Sequence, residues 1–291
     1  MGPALSTLAA GVAARAHRAT DALHSLIYFV PEADEEFVAV GLRPGRMSYF
    51  ASRSAPLGPV GTGTTTATFY NFKPALVATY IPHAWSLADP VDIIAARLRA
   101  AERALRRLLG DLITSAEFAE FADLARQASS DLPPEGRPLY AAHAQLPWPD
   151  DAHLIAWHAA TLLREYRGDG HIAALLNAQL SGIEAIITHT ATGRGFREQA
   201  AKRLRGWSDD EWADAVEGLR ARGYLDAAGL TAEGVALRER IEADTDRLDT
   251  SAWLRLGEQR TQRLCELGKQ FTRVAVDNGA FPAAVFASPP R

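Results

Sequence analysis

The chain of 291 residues is long enough for two domains of ordinary size. Its 47% hydrophobic and 23% charged residues match the averages of globular proteins and exclude the disordered and fibrous classes. A formal net charge of −4 at neutral pH provides no overall attraction to nucleic acids or anionic membranes, so any basic binding surface has to be local.

Cysteine content and hydropathy predict a cytoplasmic protein. The single cysteine, Cys265, excludes an internal disulfide and a site built from several cysteines, which fits a reducing compartment. Near the N-terminus the basic residues follow the apolar ones, which is the reverse of a secretory signal peptide. No stretch reaches the roughly 18 apolar residues of a membrane-spanning helix, so we expect no membrane partner.

Three helices are predicted in the first half of the chain from the spacing of its apolar residues. They run from Leu5 to about Phe29, from Pro90 to Gly110 with Asp89 as N-cap, and from Thr114 to about Ser129. Glycines and prolines interrupt residues 31–86, which predicts short helices joined by ordered loops, with a weak strand signal at 77–80. Five arginines against two acidic residues give the second helix a charge of +3, which is typical of a solvated face.

Four residues of this half are candidate ligand contacts: His24, Tyr28, Arg53 and Asn71. His24 and Tyr28 are four residues apart and share a helix face, where a packed core pair is the simpler interpretation. Arg53 interrupts an apolar stretch. Because arginine is rarely buried unless it is paired, Arg53 either lies at the surface or contacts a partner or ligand. Asn71 lies among the aromatic residues of the sequence TFYNF.

Proline content and helix signals divide the chain in two. Five prolines between Asp131 and Asp151 predict a connection at residues 132–149, which joins an N-terminal helical domain (1–131) to a C-terminal domain (150–291). In the second domain the elements of a winged helix follow one another: a helix at 209–222 with Ser208 as N-cap, a glycine-containing turn at 224–230, and a helix opened by Thr231.

An earlier stretch, residues 151–187, resembles the opening helices of the same kind of fold. The wing of that first unit, where it exists, would fall at residues 193–206. We therefore predict a mainly α fold, in which an N-terminal helical region precedes a tandem winged-helix-like region with a small β-wing.

A polar segment at residues 157–176 lies between apolar helical stretches and is the strongest candidate for a functional site. Gly168 is predicted to end one helix in a left-handed conformation, and Asp169 is predicted to cap the next. His171 would then lie in the first helical turn. The helix dipole disfavours a protonated imidazole there, so a neutral proton acceptor is expected.

Arg164, Glu165 and Arg167 add charge to the same segment. The two arginines are three residues apart and can converge on one carboxylate or phosphate, because guanidinium groups bind such anions in a bidentate manner. Glu165 points about 100° away from Arg164 and is expected to pair with an arginine of another segment. An ion-pair network that staples two parts of the chain explains these residues about as well as a ligand site does.

The leading hypothesis is a protein that binds a small organic molecule; whether it also converts that molecule, as an enzyme of secondary metabolism would, is left open. The catalytic candidates are Asp169 and His171, and the further ligand-binding candidates of the polar segment are Trp157, Arg164, Glu165 and Arg167. We expect a pocket between the two domains lined by Tyr49, Phe50, Phe69, Tyr70 and Trp157. No histidine spacing, glycine-rich loop or serine motif identifies a metal, nucleotide or nucleophile site, so no metal is predicted and the cofactor is unknown.

Five stretches of the sequence carry a family resemblance: LREYRGDGHIAALL, RGWSDDEW, LRARGYLD, LTAEG and IEADTDRL. Together they resemble an actinobacterial family of helical winged-helix proteins of the SalK type, from about residue 20 to about residue 260. The RGDGH element is the most specific part of the match. The resemblance implies a helical winged-helix fold, and it adds little chemistry because the family is known mainly by that fold.

A DNA-binding regulator is the alternative hypothesis. Residues 206–257 contain twelve acidic residues against six arginines, a net charge of −6 that repels phosphates. One basic segment opposes this balance, with Arg194, Arg197, Lys202, Arg203 and Arg205 against Glu198. We interpret it as a solvated linker, so nucleic acid is the less favoured partner. A scaffold without a ligand is the third hypothesis, and a homodimer is compatible with all three.

Overall fold

Helices make up nearly all of the regular structure, so the predicted mainly α class with a small β-wing is confirmed. The computed structural model describes residues 11–193 and 195–282. Its helices are α1 (Val12–Ser25), α2 (Pro31–Ala39), α3 (Arg46–Ser54), α4 (Thr62–Phe69), α5 (Pro74–Ala78), α6 (Pro90–Leu109), α7 (Ala116–Ser129), α8 (Pro138–Ala144), α9 (Ala152–Asn177), α10 (Gly182–Thr190), α11 (Glu198–Arg205), α12 (Asp209–Ala221), α13 (Ala232–Leu248), α14 (Thr250–Leu256) and α15 (Glu258–Asp277). The strands are β1 (Leu225–Asp226) and β2 (Gly229–Leu230). None of the described helices combines the length and the apolar composition that crossing a membrane requires.

The central helix of the molecule is α9. Buried residues make up 17 of its 26 positions and occur on every face, which is the pattern of a helix enclosed by other helices. α1, α7, α8 and α13 pack against it, and α15 packs on α1 and α7. The first hydrophobic core therefore combines helices from the beginning, the middle and the end of the chain.

A second hydrophobic core forms around the C-terminal end of α9. Ala174 and Leu175 of α9 join α10, α12, β1 and α13 there, with Trp212 and Ile241 among the buried side chains. α14 and α15 return to the first core. The predicted domain division at 132–149 stays a prediction. The two cores meet within α9, and α8, which lies inside the predicted connection, packs against α9.

The winged helix consists of α10 to α13 and the two strands. β1 and β2 form an antiparallel hairpin in which Leu225 pairs with Leu230. The predicted caps are confirmed: Ser208 accepts the Glu211 amide in a capping box, and Thr231 accepts the Gly234 amide at 3.1 Å. The wing that was considered for 193–206 is wrong, because α11 occupies most of the described part of that segment. The strand signal at 77–80 is also wrong, since α5 and a turn lie there.

The predicted helix boundary at Gly168 and Asp169 is wrong, because α9 continues through both residues. Glycine at 170 serves close packing instead. A Cβ there would lie 2.8 Å from Nη1 of Arg137 and 3.3 Å from Cβ of Leu248. Arg137 donates to the carbonyls of Tyr166 and Leu248, so its guanidinium group is held in place beside the helix. Asp169 consequently lies inside α9 and caps no helix that begins after it; its carboxylate instead accepts the N–H of Tyr140 in the first turn of α8.

The basic face of α6 is neutralised by acidic residues of α2. Glu36 accepts hydrogen bonds from Arg99 and Arg103, Glu35 accepts from Arg103, and Glu32 accepts from Arg107. Arg97 differs from the other arginines of α6, since it is buried in the first core with its guanidinium carbon 4.9 Å from the Trp157 ring centroid. The arginine run therefore forms an interface between two helices.

We predict opposite effects for two alanine substitutions in α9. Gly168→Ala should stabilise the fold by up to about 1 kcal/mol, because helical glycine costs conformational entropy and the nearest atom to a new Cβ is 3.8 Å away. Gly170→Ala should destabilise it by about 1–3 kcal/mol through the clash with Arg137 and Leu248. Chemical denaturation measures both values, and destabilisation by Gly168→Ala would contradict a continuous α9.

Candidate functional site

Two adjoining cavities lie between the N-terminal helices and the winged helix. The larger cavity has a volume of about 1100 Å³ and the smaller cavity about 310 Å³. Six residues line both: Arg53, Arg164, Glu165, Gly168, His171 and His189. Four of these belong to the polar segment of α9, so the segment singled out in the sequence forms the wall that the two cavities share.

Arg53 and Glu165 form a buried, bidentate ion pair between α3 and α9. Nε and Nη2 of Arg53 donate to the two carboxylate oxygens at 3.2 and 2.7 Å, and Nη1 donates to the Tyr49 hydroxyl at 2.8 Å. Burial is the largest single influence and would raise the pKa of Glu165, but the charges of Arg53, His143 and Arg164 and the hydrogen bond from Arg53 together lower this pKa to about 2. Glu165 is thus an anion whose partner comes from another segment of the chain.

Arg164 and Arg167 do not converge on one anion. Arg164 pairs with Asp21 of α1. Arg167 lies 2.8 Å from Asp246 of α13 and 3.5 Å from Asp249, beyond the end of that helix. Both arginines line the larger cavity, yet each already has a carboxylate partner, so they tie α9 to α1 and to α13.

His171 is a neutral hydrogen-bond acceptor on the wall of both cavities. The Thr245 hydroxyl donates its proton to the Ile241 carbonyl at 2.7 Å, so its oxygen accepts from Nδ1–H of His171 at 2.8 Å. This pairing leaves Nε2 of His171 unprotonated. The neutral state follows from burial, which lowers the pKa to about 4, and the predicted cause, a helix N-terminus, is wrong because His171 lies in mid-helix.

Asp169 lies on the wall of the smaller cavity with half of its carboxylate satisfied. Oδ2 accepts the backbone N–H of Tyr140 at 2.9 Å, while Oδ1 has no hydrogen-bond partner among the described residues. Burial raises the pKa of Asp169 to about 7, assisted by the nearby charge of Glu165. The group is therefore poised between acid and carboxylate near neutrality.

A chain of hydrogen bonds in the core connects Tyr28, His24, Thr161 and the backbone carbonyl of Trp157. The Tyr28 hydroxyl donates to Nε2 of His24 at 2.8 Å, Nδ1–H donates to Thr161 at 2.9 Å, and the Thr161 hydroxyl donates to the Trp157 carbonyl at 3.0 Å. None of the three predicted contacts lines either cavity. Asn71 lines the smaller cavity, and its backbone carbonyl accepts the indole N–H of Trp207 at 3.0 Å.

Aromatic residues line one side of the smaller cavity. Of the five aromatic residues expected around a pocket, Tyr49, Phe69 and Tyr70 are among its lining residues, whereas Phe50 and Trp157 are buried in the first core. Phe72 and Phe196 also line it and were not among the expected residues. Phe72 belongs to the TFYNF sequence and could have been included among the expected pocket residues. The sequence around Phe196 gave no sign of a pocket residue, because only the tertiary fold brings the loop before α11 to the cavity.

Arg205, placed in the basic segment by the sequence, turns inward and lines the smaller cavity. Its guanidinium carbon lies 4.3 Å from the Phe72 ring centroid and 5.3 Å from that of Phe196. No described carboxylate lies within ion-pair distance, and Nε is buried without a hydrogen-bond partner. Burial lowers the pKa of Arg205, and the charges of Arg53 and Arg164 act in the same direction.

The rest of the basic segment does not form a continuous basic surface in the part that is described. Lys202 lies 2.8 Å from Glu198 and 3.0 Å from Asp209. Arg197 and Arg203 are exposed, and Arg194 lies outside the described residues. The exposed face of α12, which is the recognition-helix position of the winged helix, carries Asp210, Asp214 and Glu217 against Arg220.

One group of potential metal ligands occurs among the described residues. The carboxylates of Glu102 and Asp151 and a ring nitrogen of His153 lie within 4.8 Å of one another. Glu102 also accepts from Arg106 at 3.3 Å, and the group lines neither cavity. It gives no support to metal chemistry at the candidate site.

The comparison with protein families gives one match along most of the chain. A family model described as a helix-turn-helix family matches residues 13–282. No curated protein and no solved structure matches the chain.

We predict that the Arg53–Glu165 pair is required as a pair. Glu165→Leu and Arg53→Met should each destabilise the fold by about 3–5 kcal/mol, because each leaves one buried charge without its partner. The double variant Arg53→Met/Glu165→Leu should recover most of that loss. Urea denaturation of the four proteins tests this, and additive losses in the double variant would contradict it.

A second prediction concerns acid sensitivity through His158. This buried imidazole lies at a ring-centroid distance of 4.7 Å from Trp148, and burial lowers its pKa to about 4. The unfolded chain takes up a proton near the ordinary value of 6.5, so the stability that the neutral imidazole provides is complete above that pH and is lost as the pH falls toward 4. His158→Gln should reduce the slope of unfolding free energy against pH in this window; an unchanged slope would show that other groups cause it.

Proposed function

The chain belongs to this helix-turn-helix family, and from that premise we propose that it binds a small organic anion in the smaller cavity, with Arg205 as the anchor. One observation carries the proposal: a partly buried guanidinium group faces an aromatic-lined cavity and has no carboxylate partner among the described residues. A charge in such a place is costly unless a counter-charge reaches it.

The pairing of the cations around the smaller cavity supports an anionic ligand. Glu165 pairs with Arg53 and Asp21 pairs with Arg164, whereas no described carboxylate lies within ion-pair distance of Arg205. The guanidinium fork suits a carboxylate or phosphate, and the rings around it suit a flat apolar body. A volume of about 310 Å³ is at the lower end of the sizes of small-molecule sites, which span roughly 300–1000 Å³.

His171 provides a second polar function in this proposal. Its unprotonated Nε2 accepts a hydrogen bond or a proton, the role expected for it from the sequence. Arg164 and Arg167 contribute to the field of the site rather than to direct pairing, since their partners are Asp21 and Asp246. We also propose that the protein is related to the actinobacterial SalK type and that it is located in the cytoplasm.

DNA binding is the second candidate, and family membership is the observation that favours it. The electrostatics oppose it. The exposed residues of α12 are mainly acidic, Lys202 is neutralised by two carboxylates, and Arg205 points into the molecule. Binding to DNA depends on releasing counterions from phosphates through lysine and arginine contacts, which this surface provides poorly.

The test compares aromatic carboxylates with their uncharged amides. Isothermal titration calorimetry with benzoate and 2-naphthoate, against benzamide and 2-naphthamide, should show binding of the acids only. Arg205→Met should weaken acid binding roughly 30-fold or more, since truncating one side of a buried charge pair costs about 2–5 kcal/mol. Arg203→Met, on the exposed side of the same helix, is the matched control and should bind like the wild type.

Two outcomes would contradict the proposal. One is equal weakening by Arg205→Met and Arg203→Met, or no binding of any carboxylate. The other is a salt-sensitive gel shift of duplex DNA at low ionic strength that Arg203→Met reduces, because electrostatic binding to DNA is strongest there and would assign the basic segment to nucleic acid.

A further inference from the structure

Asp169 lines the smaller cavity and has an unused acceptor. The residue is 3% exposed, and one of its carboxylate oxygens, Oδ2, is satisfied by the amide of Tyr140. The other, Oδ1, has no partner among the described residues, although a buried carboxylate normally accepts several hydrogen bonds.

The nearby cations do not fill this position. Arg137 donates through Nη1 to the Tyr166 carbonyl and through Nη2 to the Leu248 carbonyl, so its donors are directed elsewhere. Arg53 is committed to Glu165 and Tyr49. A donor that completes the shell of Asp169 therefore has to come from a molecule inside the cavity.

We infer that Oδ1 of Asp169 accepts a hydrogen bond from the ligand, so that the smaller cavity takes an aromatic carboxylate that also carries a hydroxyl or amino group. The inference rests on the proposed anion site at Arg205. The two anchors lie on different elements, α11 and α9, and differ in sign. Apolar side chains that line the same cavity, including Phe72, Ile172 and Leu175, suit a ring.

The proposed contacts of Arg205 and Asp169 disfavour two related classes of ligand. A second carboxylate on the ligand would meet Asp169 and Glu165 without a free cation beside them, so dicarboxylates are disfavoured. A methoxy group has the same reach as a hydroxyl but offers no proton, so it leaves Oδ1 unsatisfied. Donor capacity, rather than polarity alone, is the selected property.

The experiment uses matched probes with the full-length protein. Calorimetry compares benzoate, 3-hydroxybenzoate, 4-hydroxybenzoate, 4-aminobenzoate and 4-methoxybenzoate, and the corresponding series of 2-naphthoate, 6-hydroxy-2-naphthoate and 6-methoxy-2-naphthoate. The titrations are run at pH 8.5, where Asp169 is ionised because burial raises its pKa only to about 7. At least one hydroxyl or amino compound should then bind the wild type roughly 10-fold or more tightly than its unsubstituted and methoxy counterparts, the size expected for a hydrogen bond to a charged group.

Asp169→Asn then identifies the acceptor. Its amide oxygen still accepts the Tyr140 N–H, whereas its NH₂ group replaces the free oxygen. The variant should lose the preference for hydroxyl and amino compounds, measured as the ratio of their Kd values to those of the unsubstituted acids within the same protein. Circular dichroism checks that the variant is folded. If the variant does not fold, the ligand series with the wild type still tests whether a hydroxyl or amino group improves binding.

The outcomes separate this inference from the proposed function. If the unsubstituted acids bind through Arg205 and no hydroxyl or amino group improves binding to the wild type, the anion site stands and the role of Asp169 is wrong; a water molecule then satisfies Oδ1. If Asp169→Asn keeps the full preference, the donor is recognised elsewhere and the inference is again wrong. If no carboxylate binds at all, both proposals fail.

Discussion

The buried ion pair between Arg53 and Glu165 is the constraint on which the remaining structure depends. α9 is buried on every face, so Glu165 is carried into the interior whether or not a partner is present. Only a cation held at hydrogen-bonding distance makes that position tolerable. Arg53 meets the requirement from 112 residues away, which fixes α3 against α9 and orients Tyr49 toward the smaller cavity.

The other ion pairs of α9 extend this constraint to the rest of the chain. Arg164 connects it to α1 through Asp21, and Arg167 connects it to α13 through Asp246. A structural staple and a ligand site were competing explanations of the polar segment, and the ion pairs account for its arginines and Glu165 but not for Asp169 and His171. The arginines are used for connections, whereas Asp169 and His171 keep an acceptor each on the cavity wall.

Local signals predicted much of the fold, and tertiary contacts account for the errors. Ser208, Thr231 and Pro90 act within their own helices, so capping patterns and apolar spacing located α12, α13 and α6. Gly168 and Asp169 look like a helix end followed by a cap, yet α9 continues through both, because α8 and α13 pack against this helix and such tertiary contacts leave no local signal in the sequence. A count of charges along the sequence likewise does not show which way a side chain points. Arg205 was therefore assigned to a basic segment, although it lines the smaller cavity.

The winged helix contributes walls to the cavities rather than a basic face to solvent. α11 supplies Arg205 to the smaller cavity, and α13 supplies Thr245, whose hydroxyl fixes the tautomer of His171. Ala228 and Leu230 of the wing region line the larger cavity. The same fold thus carries acidic side chains on the outer surface of α12 and cavity-lining side chains on its inner surface, and a fold alone does not determine what such side chains bind. Any ligand held between Arg205 and Asp169 would contact both the winged helix and α9, so its binding energy would act directly on the junction between the two cores.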